Sequence, residues 1–199
     1  MVLAHHAVWG AYGFWLPNDP RGSWSKSVSS LPLRQFGEAT TTSARHSVAR
    51  IDHDHRFRLD AKSALKHSPV QLSGRQALAV AHGIGCASSE SGYNIHACAI
   101  MPDHVHIIVG RVDREIGRVI GHLKTRARQA MIAEGVWPVQ GSPVWAKQGW
   151  HVFLDSDEAV RRAIAYVEQN PIRDGLPRQR WSFVTPWPSS RGASSKLDG

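Results

Sequence analysis

The stretch Met101-Pro-Asp-His-Val-His-Ile-Ile-Val-Gly110 decides how this chain is read. It is short, apolar and β-branched, and it carries two histidines two positions apart. A strand turns successive side chains to opposite faces, so His104, His106 and Ile108 share one side while Val105, Ile107 and Val109 share the other. The second face reads as core. The first places two imidazoles within reach of one metal ion.

The run before it, GYNIHACAIM (92–101), is also rich in β-formers. Only Pro102-Asp103 separates the two, so they read as antiparallel neighbours joined by a tight turn. Upstream, one helix is expected at about 73–88, with Ala77, Leu78, Ala81 and Ile84 as its apolar stripe. Downstream, 113–135 is a long amphipathic helix. Ile116, Val119, Ile120, Leu123, Ala127, Ala130 and Met131 keep its i, i+3, i+4, i+7 pattern, and Gly135 stands where it would stop.

Residues 2–15 form a first strand and 142–154 an aromatic strand or hairpin. The last helix follows, with Asp155 and Glu158 spaced as a capping box and Pro171 ending the helix at Asn170 or one residue earlier. Residues 25–56 lack periodicity and read as a loop insertion, including a second His-x-His, His53 and His55, taken as solvated loop. The expected domain spans 1–185, and 186–199 is a disordered tail. The order β, α, β-β, α, β, α gives an α+β fold: an antiparallel sheet with helices packed on one face.

Composition narrows the function. The 199 residues carry 24 Lys and Arg against 16 Asp and Glu, a formal charge of +8 that favours polyanion partners. The two cysteines form neither a disulfide framework nor a zinc pattern. No apolar run approaches the roughly 20 residues of a membrane span, and the N-terminal stretch lacks a basic signal-peptide region. The expected location is the cytoplasm, near the nucleoid.

On the last helix Val160, Ala163, Ile164 and Val167 form the stripe, and Tyr166 and Asn170 lie one above the other along its edge. If the stripe packs on the sheet, this edge meets the exposed strand side chains. It then offers a phenol nucleophile and an amide oxygen beside the two imidazoles, a set that suits Mg²⁺ or Mn²⁺ with positions left for a phosphate. His5 and His6 are adjacent and fall on opposite faces, which leaves one of them a candidate for the same side.

HACAIMPDHVHIIVG resembles the His-hydrophobic-His signature of the IS200/IS605-type single-tyrosine transposases. AIAYVEQNPIRDGL resembles the tyrosine helix of their REP-associated relatives, and the order and spacing of the two motifs match over about 70–180. Asp103 stands where that family often has Asn. The histidine-triad hydrolases need a third histidine where this chain has Ile108, and the 2H phosphoesterases need two His-x-Thr/Ser motifs, which it lacks.

The resemblance implies a ferredoxin/RRM-like HUH endonuclease fold and cleavage and rejoining of single-stranded or hairpin DNA. Tyr166 would be the nucleophile, with His104, His106 and Asn170 holding Mg²⁺ or Mn²⁺, in a monomer or homodimer. A free tyrosine is about one part in a thousand phenolate at pH 7, a deficit of roughly 4 kcal/mol that cations must offset. Arg114, Lys124 and Arg128 on the long helix, and Arg173 beyond the tyrosine, are the expected phosphate contacts. Eight tryptophans supply surfaces on which unpaired bases could stack. Two other readings stand beside this one: a hairpin-binding protein of the same fold without cleavage, and a metal-dependent hydrolase using water.

Overall fold

The computed structural model describes residues 1–14, 16, 33, 35–36, 54–141 and 143–188. The expected insertion at 25–56 and the end of the chain lie almost wholly outside these. The elements run β1 (Ala4–Ala11), α1 (His55–Ser63), α2 (Gly74–Ser91), β2 (Ile95–Ile100), β3 (His104–Gly110), α3 (Ile116–Ala133), β4 (Trp145–Leu154) and α4 (Asp157–Arg173). The four strands form one antiparallel sheet in the order β2-β3-β1-β4. The class is α+β, as the pattern of elements predicts.

Alternation along the strands sorts the core into two layers. Trp9, Val105, Ile107 and Val109 point to one face, where α2 and α3 cover them with Val80, Ile84, Ile120, Leu123 and Met131. Ala4, Ala97, Ala99 and Ile108 point to the other, where Val160 and Val167 of α4 cover them. The helices therefore occupy both faces of the sheet, not the single face expected. The physical cause is that β2 and β3 are buried on both sides, β2 throughout and β3 at every residue but His104, so each side needs a cover. The alanines Ala4, Ala97 and Ala99 leave room for α4 to approach the sheet.

The two helices on the first face touch at Gly83. A Cβ there would collide with the carbonyl of Arg126 and come within 2.5 Å of Ala127 Cα, so only glycine permits this approach. Beyond α4 the chain turns back along the outer edge of β2. Gln179 accepts from Ile100 N at 2.8 Å and donates to Ile100 O at 2.7 Å, and Thr185 N donates to Ile95 O at 2.8 Å. This satisfies backbone groups that an open edge would expose. Trp187, inside the expected tail, packs its ring on His96 with centroids 4.7 Å apart.

Three local expectations change. Helix α1 was not anticipated, and its first two residues lie in the stretch expected as loop; Asp54 caps it by accepting from Phe57 N at 2.9 Å, so His55 opens a helix. The cap of α4 is Ser156, not Asp155, and its side chain accepts from Ala159 N. Finally, α4 continues through Pro171 to Arg173. Proline removes a single N–H bond in the last turn, while Pro171 itself is buried and its carbonyl accepts from Leu176 N at 2.8 Å.

Candidate active site

Strand β3 presents His104 and His106 on the face that α4 covers. Their rings lie 4.7 Å apart between centroids and nearly perpendicular. Register with β1 adds a third histidine. His6 pairs with Ile108 and Val8 with His106, so His6 sits diagonal to His106 on the same face. Its Nε2 lies 3.1 Å from Nδ1 of His106, a hydrogen bond between two imidazoles. His5 takes the opposite face, beside Phe153 at 5.4 Å and His151 at 6.4 Å.

Helix α4 brings the phenol to this cluster. Tyr166 packs edge-on against His106, with centroids 5.6 Å apart, and against His6 at 5.9 Å. It keeps 44% of its surface exposed, so the ring bridges the histidines and solvent. Arg173, two turns further along α4, places its guanidinium carbon 5.9 Å from the Tyr166 ring centroid. Asn170 lies one turn beyond Tyr166 and donates from its amide nitrogen to the Tyr166 carbonyl at 3.3 Å, which turns its amide oxygen into the available ligand atom. Trp150 of β4 packs edge-on against His6 at 6.0 Å.

Burial sets the protonation of the cluster. It pulls His6 down to about 4. His106 falls well below its ordinary value, first through burial and then through the neighbouring His104 and His6. Both are neutral at pH 7, and a neutral imidazole has the lone pair a metal needs. His104 donates from Nδ1 to the Asp103 carboxylate at 2.6 Å, which leaves Nε2 as the atom that would ligate a metal. A carboxylate behind a ligating histidine is the usual means of orienting such a ring.

These residues fit a divalent cation held by two imidazoles with further positions open to oxygen ligands. Among the described residues no three His, Cys, Asp or Glu side chains form a metal cage by themselves. A metal bound here would take His104 and His106 and draw any further protein donor from an amide such as that of Asn170, unlike a closed structural site.

The other predicted cations stand elsewhere. Helix α3 covers the opposite face of the sheet, and its charges are engaged there. Lys124 donates to the carbonyls of Ala146 at 2.6 Å and Lys147 at 3.2 Å. Arg128 donates to Val139 O at 2.8 Å, and Arg114 reaches the Tyr93 hydroxyl at 3.4 Å. Of the four expected phosphate contacts, Arg173 is the one beside Tyr166.

Two contributors escaped the sequence reading. His6 was one of two adjacent histidines that alternation could not tell apart, and Asp103 was noted only as a departure from a family pattern. The spacing Asp-His-x-His was the available signal for the second.

No protein-family model matches the chain, and no curated protein sequence does. Solved structures do. One is a REP-associated tyrosine transposase bound to a REP hairpin, at 13% identity and a TM-score of 0.49, covering 88% of this chain and 70% of that one. Another, described as a "putative transposase" from Deinococcus radiodurans R1, shows 14% identity and a TM-score of 0.42 over 85% of this chain and 91% of the other. At such distances the function has to be argued from the site's own residues.

Proposed function

We propose that this protein cuts and rejoins single-stranded DNA through a covalent phosphotyrosine, with hairpin-forming repeat DNA as its substrate. The observation that carries the reading is the packing of the Tyr166 ring against His106 and His6 within one chain, 5.6 and 5.9 Å between centroids. Tyr166 serves the histidines of its own subunit in this reading.

The Tyr166 oxygen attacks the scissile phosphorus, and a phosphotyrosine ester forms as the bond to the 3′ oxygen breaks. The phenol proton passes to solvent, which the exposed side of the ring admits, and the departing 3′ oxygen takes one up. In the reverse direction a 3′ hydroxyl displaces Tyr166. The ester conserves the energy of the phosphodiester, so no nucleotide cofactor is needed. Arg173 sets a positive charge beside the phenol and within reach of a phosphate held there. His104 and His106, with Asn170, would hold Mg²⁺ or Mn²⁺, which supplies Lewis-acid polarisation of the phosphate and of the leaving oxygen.

The test is incubation with 5′-extended hairpin DNA and Mn²⁺, followed by denaturing electrophoresis. A covalent protein–DNA adduct is expected from the wild type and none from Tyr166→Phe. Equal adduct in that variant refutes the assignment. Salt-sensitive hairpin binding with no adduct under any divalent metal identifies a binding protein instead. Release of free products, indifferent to Tyr166→Phe, identifies a hydrolase.

A further inference from the structure

We infer that His6 is a positioning residue for the candidate metal centre: it accepts a hydrogen bond from Nδ1 of His106 and so selects the tautomer that presents Nε2 as a ligand. The inference rests on the metal-centre reading above and deepens it.

The argument starts from the 3.1 Å contact between Nε2 of His6 and Nδ1 of His106. An imidazole that ligates a metal is neutral, so His106 as a ligand carries one proton, on one of its two nitrogens. If His6 donated, the single proton of His106 would sit on Nε2 and that atom could not ligate. If His106 donates, its Nδ1 carries the proton and its Nε2 the lone pair. The second arrangement also matches its neighbour, since His104 donates from Nδ1 to a carboxylate, which can only accept. The two histidines of β3 are then oriented alike, each with an acceptor behind Nδ1: Asp103 for His104 and His6 for His106.

The ring of His6 is held for this task. Tyr166 and Trp150 pack edge-on against it at 5.9 and 6.0 Å. Its place follows from β1–β3 register alone, which sets it diagonal to His106. The two acceptors differ in charge. Asp103 sets a carboxylate behind His104, while His6 orients His106 without adding negative charge to the site.

Two measurements test this. The first is a long-range ¹⁵N–¹H correlation spectrum of the metal-free protein at pH 7.5, which distinguishes Nδ1–H from Nε2–H imidazoles. His106 is expected as the Nδ1–H form in the wild type and shifted toward Nε2–H in His6→Phe. The second is Mn²⁺ binding, followed by the EPR signal of free Mn²⁺. His6→Phe, which keeps a ring against Trp150 and Tyr166, should bind about 10- to 100-fold more weakly, the usual cost of losing such a partner. His6→Gln, whose amide oxygen accepts, should recover most of the loss.

A wild-type His106 in the Nε2–H form overturns the inference. So does a His6→Phe protein that binds Mn²⁺ as tightly as wild type while His106→Ala does not bind, and that result leaves the metal centre itself standing. Failure of the wild type to bind Mn²⁺ removes the metal centre and this inference together. Should His6→Phe not fold, the wild-type spectrum and His6→Gln still decide.

Discussion

Lys124→Met separates two roles for one cation. From the sequence, Lys124 is a phosphate contact one turn from Arg128. In the fold its ammonium instead ties α3 to the start of β4, through the carbonyls of Ala146 and Lys147. Burial lowers the lysine from 10.5 to about 8. A drop from 10.5 to about 8, at about 1.4 kcal/mol for each step of one in pH, puts the cost of burying the charge near 3.5 kcal/mol. Two charge-assisted hydrogen bonds return about 1.5–3 kcal/mol each.

The difference leaves Lys124 stabilising by at most about 2.5 kcal/mol, and its removal deprives two carbonyls of a donor. Lys124→Met should therefore lose roughly 2 kcal/mol at pH 7. In a chain of this size that lowers Tm by roughly 4–8 °C. Because the folded pKa lies below the unfolded one, the unfolded chain holds more protons between pH 8 and 10.5. The wild type should thus gain up to about 3.5 kcal/mol over that window relative to Lys124→Met. Circular-dichroism melts across pH, paired with hairpin-DNA titrations across salt, measure both quantities. An unchanged Tm with a salt slope smaller by about one would refute the structural role and make Lys124 a phosphate contact.

Gly83→Ala inserts a methyl against the backbone of Arg126 and Ala127 and should cost about 1–3 kcal/mol by overpacking. Gly121→Ala on α3, where a Cβ meets nothing within 4 Å, should instead stabilise by roughly 0.5–1 kcal/mol; urea unfolding of the pair checks the contrast. Burial pushes the Cys98 thiol far up, whereas Cys86 is only half-buried. Iodoacetamide should modify Cys86 in the native protein and Cys98 only on unfolding, a sequence that peptide mass mapping resolves.

Much of the site was legible because its information is local. Alternation in a strand put His104 and His106 on one face, and helical periodicity put Tyr166 and Asn170 on one edge of the Val160–Val167 stripe. Each pattern spans a few residues and needs no knowledge of the rest of the chain. Local reading failed where a neighbour distant in sequence settles the outcome. Pro171 reads as a helix stop until its burial is seen. Lys124 reads as a solvated cation until the carbonyls of Ala146 and Lys147 are placed beside it.

What the chain alone determined, then, is which side chains share a face: the two histidines of β3, the tyrosine and asparagine of α4, and the antiparallel β2–β3 pair. The tertiary structure decided which faces meet. Register between β1 and β3 chose His6 over His5, and α4 took the face of the sheet opposite α2 and α3, where the phenol reaches the imidazoles. The physical reason is range. The periods of strand and helix arise from bonded geometry, whereas register and layer order come from burying apolar surface against partners more than a hundred residues away.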